Sequence, residues 1–494
     1  MTLKTSKNSL ILAIFLILVT LIFPLLSFAR VFIVDKNHPQ ASDNNPGTEN
    51  LPFKTISRAV RNLRPGDIVL IKAGVYRESV TIKAKGTREK PIIIKAYPGD
   101  EGKVIIKGSE IFRNWKQIPG TNIWFIPWKY KLNPHYPKRW KDFGPYAKRC
   151  ELVFVNGKPL RQVLTKKDLK LWTFYVDDHN KKLFISLPPR IFLSNPVIEV
   201  SIRQRGIVVK GRYLIIKGIA VMQVANHHQN GAFSVVGENI ILENCRAEWN
   251  NLDGFYVIGK NFYIIKCIAS HNGRCGITAS IHNSIIAKCI TNYNSWRFGP
   301  VCHAGGIKIV GGGPSNNLII THISIGNNDP GIWFDYGCRN NRVNRSLISE
   351  NVFTGIIIEA SSENNFIVNN IIFKNKVWKK HPQKTGAGII VRESSNVWIV
   401  YNTIYKNQRY GIVIAGGKRK IYYTNKDVIN QKIFIINNII SDNKVAGLAF
   451  WVWDESATAS ALLSHKSDFN LWWPKNKWIE IPSSKAFWRK TILK

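Results

Sequence analysis

Acidic residues are scarce in this chain: 31 Asp and Glu stand against 70 Lys and Arg, a formal net charge of +39. Such an excess points toward acidic partners, among them uronate polysaccharides, anionic cell wall and nucleic acid. The basic residues are scattered, and no nucleic-acid-binding motif accompanies them, which removes nucleic acid from the expected partners. The seven cysteines form no Cys-x-x-Cys pair and no Cys/His metal spacing, so no residue is assigned to a metal site. After residue 26 no run is long and apolar enough to span a bilayer. From Gly231 onward a helical period is absent too, which excludes a helical repeat.

What the chain does have begins at its first residues. Lys4 and Lys7 precede an almost unbroken apolar run over residues 10–26, and Ser27-Phe28-Ala29 supplies small residues at positions −3 and −1. This predicts a signal peptide over residues 1–29, cleaved before Arg30, and hence a secreted or periplasmic protein without stable membrane insertion after cleavage. Loss of Lys4 and Lys7 takes the charge only from +39 to +37.

A repeated phrase sets the expected fold. A glycine, an apolar residue, any residue, an apolar residue and any residue recur from Gly231, Gly254, Gly276, Gly306, Gly331, Gly355, Gly388, Gly411 and Gly447. Ahead of the later copies stand Asn250, Asn272, Asn294, Asn327, Asn351, Asn375, Asn407 and Asn443, each closing a turn. Five residues before these lie Cys245, Cys267, Cys289, His322, Ser346, Asn370, Asn402 and Asn438. Asparagine tolerates the left-handed backbone and bonds its own chain, so stacked turns would form side-chain ladders. The cysteines at a step of 22 read as small buried hydrophobes in such a stack rather than as disulfides. One coil cannot bury its own apolar residues, whereas stacked coils bury a continuous core. The expected class is therefore all-β, a right-handed parallel β-helix.

The ends and one interior stretch depart from the repeat. Ile56, Ala59, Val60 and Leu63 share one face of an amphipathic helix over residues 53–63, which would cap the open end of the stack. Short strands follow at 67–71, 80–82, 92–96 and 104–106, and another is expected at 467–473. The repeat lapses over 110–200, where 153–157 and the pair 174–178 and 183–187 read as antiparallel hairpins. The expected organisation is a signal (1–29), an N-terminal cap with the first coils (30–109), a sandwich-like β-rich insertion (110–200), the β-helix (201–475) and a tail (476–494).

Side chains alternate along a strand, so the third and fifth positions of the phrase point away from the interior. That groups Lys308, Trp333, Asp335, Glu359 and Arg392 on one outer sheet. Asp335 and Glu359 occupy the same position on consecutive coils. Strands spaced about 4.7–4.9 Å apart would hold the two carboxyl groups roughly 5–6 Å from each other. Retaining glycosidases place nucleophile and acid/base about 5–5.5 Å apart. Repulsion between the two would keep one protonated as the acid, although Arg392 on the next coil makes Glu359 better suited to be the nucleophile. The long turns at 295–305 and 376–387 carry Trp296, Phe298 and His303, and Trp378 and His381, and would wall a cleft floored by Trp333. Asn327, Asn328 and Asp329 supply hard oxygen donors and leave Ca²⁺ open as a cofactor.

The run from Pro65 to Arg77, Pro-Gly-Asp-Ile-Val-Leu-Ile-Lys-Ala-Gly-Val-Tyr-Arg, resembles the cap and first coil of the pectate-lyase-like β-helix superfamily. Gly305-Gly-Ile-Lys308, Pro330-Gly-Ile-Trp-Phe-Asp335 and Gly355-Ile-Ile-Ile-Glu359 resemble the bacterial β-helix glycoside hydrolases of the β-xylosidase type, family 120 first and family 141 behind it. The resemblance implies an Asp nucleophile and a Glu acid/base on neighbouring coils, matching Asp335 and Glu359. The expected activity is retaining hydrolysis of a polysaccharide or oligosaccharide, with Trp333, Trp296, Trp378, Lys308, Arg392 and His303 as substrate contacts. The superfamily also contains uronate lyases and C5-epimerases that commonly use Ca²⁺ and a Lys or Arg base. Lys308, Arg392 or His303 would fill that role here, but the Asp-Pro-His-Asp run of alginate epimerases is absent. A non-catalytic glycan-binding β-helix is the third alternative.

Overall fold

The structure is a computed structural model that describes residues 29–134, 145–299, 303–361, 363–382, 385–421, 425–452, 465–473 and 477–480. The expected signal peptide, Ala29 apart, and the tail beyond residue 480 lie outside the described residues.

Each coil crosses three parallel faces in turn. The first face carries the Gly phrase and stacks Cys275–His282, Gly305–Ile309, Ile332–Phe334, Thr354–Glu359, Ala387–Arg392, Tyr410–Gly416 and Ala446–Val452. The second face stacks Leu318–Ile320, Arg342–Asn344, Asn365–Val368, Ser395–Val400 and Gln431–Ile436. The third stacks Ile323–Ile325, Leu347–Ser349, Ile371–Phe373, Thr403–Tyr405 and Ile439–Ser441. In the earlier coils Gly231–Glu243 and Asp253–Ile265 run from the first face to the second as single long strands.

Inward columns explain the repeat. Ile307, Ile332, Ile356, Ile389 and Ile412 pair one above another and are fully buried. Burying such side chains contributes about 1.5–3 kcal/mol each. The glycine that opens the phrase has a steric cause. A Cβ on Gly355 would fall 2.6 Å from the Gly388 carbonyl oxygen and 2.8 Å from the Asn375 amide nitrogen. That amide belongs to a ladder in which Asn250, Asn272, Asn294, Asn327, Asn351, Asn375 and Asn407 each donate to the Oδ1 of the next, at 2.8–3.3 Å, ending at Asn443. A second ladder links Asn370, Asn402, Asn438 and Asn470. A third, at the bend between the first two faces, links Asn317, Asn341 and Asn365. Cys245, Cys267 and Cys289 are free and buried, as expected.

Two expectations need correction. The Gly231 copy of the phrase is out of register, because Gly231 pairs with Asp253 while Phe233 pairs with Phe255. The phrase proper therefore starts one residue later in that coil. The capping helix spans only Ile56–Ala59, capped by Thr55 and by the Glu78 carboxylate on the Ile56 and Ser57 amides. Val60 is its C-cap, and Asn62 just beyond takes a left-handed φ of 55°. Ile56, Ala59 and Val60 nonetheless join the main core, closing the stack.

Between the first coils and the main stack lie two further sheets. One joins Ser109–Ile111, Val153–Val155, Lys158–Pro159 and Ile198–Ser201. The other joins Lys116–Gln117, Ile123–Pro127, Arg161–Gln162, Thr173–Asp177 and Lys182–Ser186. They enclose a separate core that includes Trp124, Val153, Phe174 and Leu183. This unit meets the β-helix at residues 297 and 298: Arg297 donates to the Glu151 carbonyl at 2.6 Å and bonds Gln162. Ala147 and Phe298 share a small apolar cluster there.

Candidate active site

The first face directs Lys308, Trp333, Asp335 and Glu359 away from the interior, yet each is only 4–6% exposed. Ile332, Phe334, Ile356 and Ile358 point inward beside them, so alternation alone fixes their direction. Phe334 pairs with Ile358, and Asp335 and Glu359 are the next residue of each strand. The two carboxylates thus hold one position on adjacent coils.

Their partners differ. Lys308 Nζ lies 3.1 Å from Asp335 Oδ2 and 3.4 Å from the centroid of the Trp333 ring. Asp335 Oδ1 and Trp333 Nε1 are buried and have no hydrogen-bond partner among the described residues. Glu359 Oε1 accepts from Arg419 Nη1 at 2.5 Å and lies 3.4 Å from Arg392 Nη1. Arg419 Nη1 also reaches Glu393 Oε2 at 2.9 Å, and its Nη2 donates to the Tyr336 hydroxyl at 2.7 Å. Burial works against the Arg419 charge, but Glu359, Glu393 and Tyr336 outweigh it and hold the guanidinium above its ordinary range. Burial, and then the Asp335 charge, pushes the Cys338 thiol up as well, so it stays a neutral donor to the Asp335 carbonyl at 3.0 Å.

Of the expected substrate contacts, Lys308 and Arg392 stand beside the pair. Trp333 stands there too, but the Lys308 ammonium covers its ring face, so it does not offer the open platform expected of a cleft floor. Trp296 turns elsewhere: its indole N–H donates to the His271 carbonyl at 2.7 Å and its edge meets Trp249. Trp378 packs on Phe353 and His381. Phe353 precedes the strand that Glu359 ends, which separates them by roughly 20 Å at about 3.3 Å per residue. The described parts of these turns, residues 295–299 and 376–382, therefore lie on the side where the first-face strands start, whereas the carboxylates lie at the strand ends. His303 is half-buried two residues ahead of Gly305–Ile309. Asn327 is committed to its ladder and Asp329 accepts from Ser295 at 2.9 Å. No group of three or more His, Cys, Asp or Glu that could hold a metal occurs among the described residues.

Sequence reasoning missed Arg419, Glu393 and Tyr336. Arg419 comes from a hairpin, Arg419–Ile421 with Lys426–Val428, inserted where the coil leaves the first face. The long step from Gly411 to Gly447 was the available signal for it.

Comparison with known proteins agrees with this architecture. A profile described as "right handed beta helix region" matches residues 205–376. One described as "periplasmic copper-binding protein (NosD)" matches 313–460, and one described as "chondroitinase B" matches 52–125. An uncharacterised protein of Bacillus subtilis, YwoF, is 36% identical over 15% of this chain and 15% of its own length. Pectate lyase PEL9 of Emericella nidulans is 29% identical over 20% of this chain and 22% of its own. This chain therefore aligns with less than a quarter of either relative. A structure described as XylC in complex with xylose superposes with a TM-score of 0.65 at 16% identity, over 90% of this chain and 86% of that one. The A-module of the mannuronan C-5 epimerase AlgE4 from Azotobacter vinelandii superposes at 0.52 with 12% identity, over 92% and 100%. In stacking register and overall superposition alike, this chain has the right-handed parallel β-helix fold, and the profile of that region matches it over residues 205–376.

Proposed function

We propose that this protein is an exported carbohydrate-active enzyme, a retaining glycoside hydrolase in which Asp335 is the nucleophile and Glu359 the acid/base. One observation carries the reading: two buried carboxylates stand at the same outward position on adjacent coils, and one oxygen of the first has no hydrogen-bond partner among the described residues. In this mechanism Asp335 Oδ1 attacks the anomeric carbon as the glycosidic C–O bond breaks, and Glu359 gives its proton to the leaving oxygen. Glu359 then takes a proton from water as that water attacks the anomeric carbon and the ester to Asp335 breaks. Lys308 holds Oδ2 of Asp335 and leaves Oδ1 to react.

A second reading, elimination from a uronate chain, draws on the cations Lys308, Arg392 and Arg419. As base, Lys308 would have to give up its ion pair with Asp335. A polysaccharide and aryl-glycoside panel, read both by new reducing ends and by ultraviolet absorbance of unsaturated uronate, tests the two. Reducing ends without absorbance support hydrolysis. Absorbance that rises with them overturns it in favour of elimination, and binding without any product leaves a glycan-binding β-helix.

A further inference from the structure

We infer that Glu393 and Arg419 form a positioning couple that sets how tightly Glu359 holds its proton, an inference that rests on Glu359 being the acid/base. Three consecutive first-face strands end in a left-handed bend residue: Tyr336 at φ 39°, Ala360 at φ 50° and Glu393 at φ 43°. This column is where Gly or Asn would be least strained, as at Gly416 one coil further on. The coils on either side of Glu359 instead place a Tyr and a Glu there. Both side chains converge on Arg419.

Gly416 completes the arrangement. A Cβ at that position would fall 2.6 Å from Glu393 Cγ, so glycine leaves the room that the Glu393 side chain occupies. The hairpin that starts at Arg419 then returns the guanidinium over the same bend. Arg419 Nη1 is shared by two carboxylates, 2.5 Å from Glu359 and 2.9 Å from Glu393. Glu393 also lies 3.7 Å from Arg392.

A retaining cycle needs Glu359 to give up a proton and then take one back. A guanidinium paired only with Glu359 would oppose its protonation, while two carboxylates without a cation would repel each other. Sharing resolves this: when Glu359 is protonated, Arg419 keeps a full partner in Glu393. Among the described residues, Arg392 and Arg419 face Glu359 directly, Glu393 and Tyr336 act on it through Arg419, and the Lys308–Asp335 pair stands on the preceding coils. Replacing Glu393 leaves two arginines to favour the anion of Glu359, and replacing Arg419 favours its acid form.

The test follows the titration of Glu359 in the full chain by ¹³C NMR of protein labelled at glutamate Cδ. The resonance is assigned by its loss in Glu359→Gln, and no substrate is needed. Glu393→Gln is expected to move the midpoint down by about 1 pH unit and Arg419→Gln to move it up by about as much. Tyr336→Phe, which removes only one hydroxyl, guards against misfolding and is expected to shift it in the same direction as Arg419→Gln. The basic limb of kcat/KM on whichever 4-nitrophenyl glycoside the wild type cleaves should move with each midpoint. Unmoved midpoints, or shifts of the same sign in Glu393→Gln and Arg419→Gln, overturn the inference. Full turnover by Glu359→Gln would overturn the hydrolase reading instead, and the titration would still decide the role of the couple.

Discussion

Lys308 Nζ lies 3.1 Å from Asp335 Oδ2, although the two residues sit on neighbouring coils and Lys308 stands opposite Trp333 in register. The ammonium bridges the carboxylate and the indole face, and both charged side chains are less than 10% exposed. A buried pair of this kind gives limited net stability, but removing one partner strands the other charge.

Lys308→Met is therefore expected to destabilise the fold by about 3–5 kcal/mol, because Asp335 keeps its charge without a counterion. Adding Asp335→Asn should return most of that loss, since no buried charge is then left over. Denaturant unfolding of the two single variants and the double closes the cycle. Additive losses would show that the pair does not couple.

Asp335→Asn and Glu359→Gln should each lower kcat by about 10²–10⁴-fold while leaving the far-ultraviolet circular dichroism unchanged. Azide separates their roles. With an activated aryl glycoside it should rescue Glu359→Gln with retention at the anomeric carbon, and any product from Asp335→Asn should be inverted. Full activity in either variant would remove both residues from the chemistry.

The fold was legible in the sequence because each coil repeats one physical problem. An apolar column, a glycine beneath an amide ladder and an asparagine turn recur at nearly fixed spacing, and the structure stacks them in that order. The ladder through Asn317, Asn341 and Asn365 escaped notice because it sits mid-coil, where no glycine marks it. The neighbourhood of the site was only half legible. Alternation placed Lys308, Trp333, Asp335, Glu359 and Arg392 on one face, since strand geometry decides that much. It could not show that Trp333 is covered by Lys308, or that Trp296 bonds the His271 carbonyl, because those depend on loop paths. Arg419 was hidden for the same reason: a hairpin returns it over a bend three coils above Tyr336.

Asn351→Ala probes the ladder directly. The Asn351 side chain accepts from Asn327 N and Nδ2 at 3.1 and 2.8 Å, and donates to the Ser324 carbonyl and Asn375 Oδ1 at 3.0 and 3.3 Å. Removing it leaves buried partners unsatisfied, at about 1–3 kcal/mol for each group that water cannot reach. A loss of several kcal/mol in urea unfolding is expected, against less than 0.5 kcal/mol for an exposed change such as Lys83→Ala. Equal effects of the two would mean that the ladder adds nothing beyond chain closure.

His322 gives the fold an acid-sensitive point. It occupies the column that later coils fill with Asn370, Asn402 and Asn438, is fully buried, and shares Nε2 with the Thr291 hydroxyl at 2.9 Å. Burial pushes its imidazole down to about 3. An unfolded chain binds that proton at a pKa of about 6.5. Folding therefore excludes a proton that the unfolded state takes up, so the contribution is complete above pH ~6.5 and is lost as the pH falls toward ~3, at up to about 1.4 kcal/mol per unit. His322→Asn, which suits the column and does not titrate, should flatten the decline in stability measured by urea unfolding between pH 7 and pH 4. Parallel curves for variant and wild type would show that acid acts elsewhere.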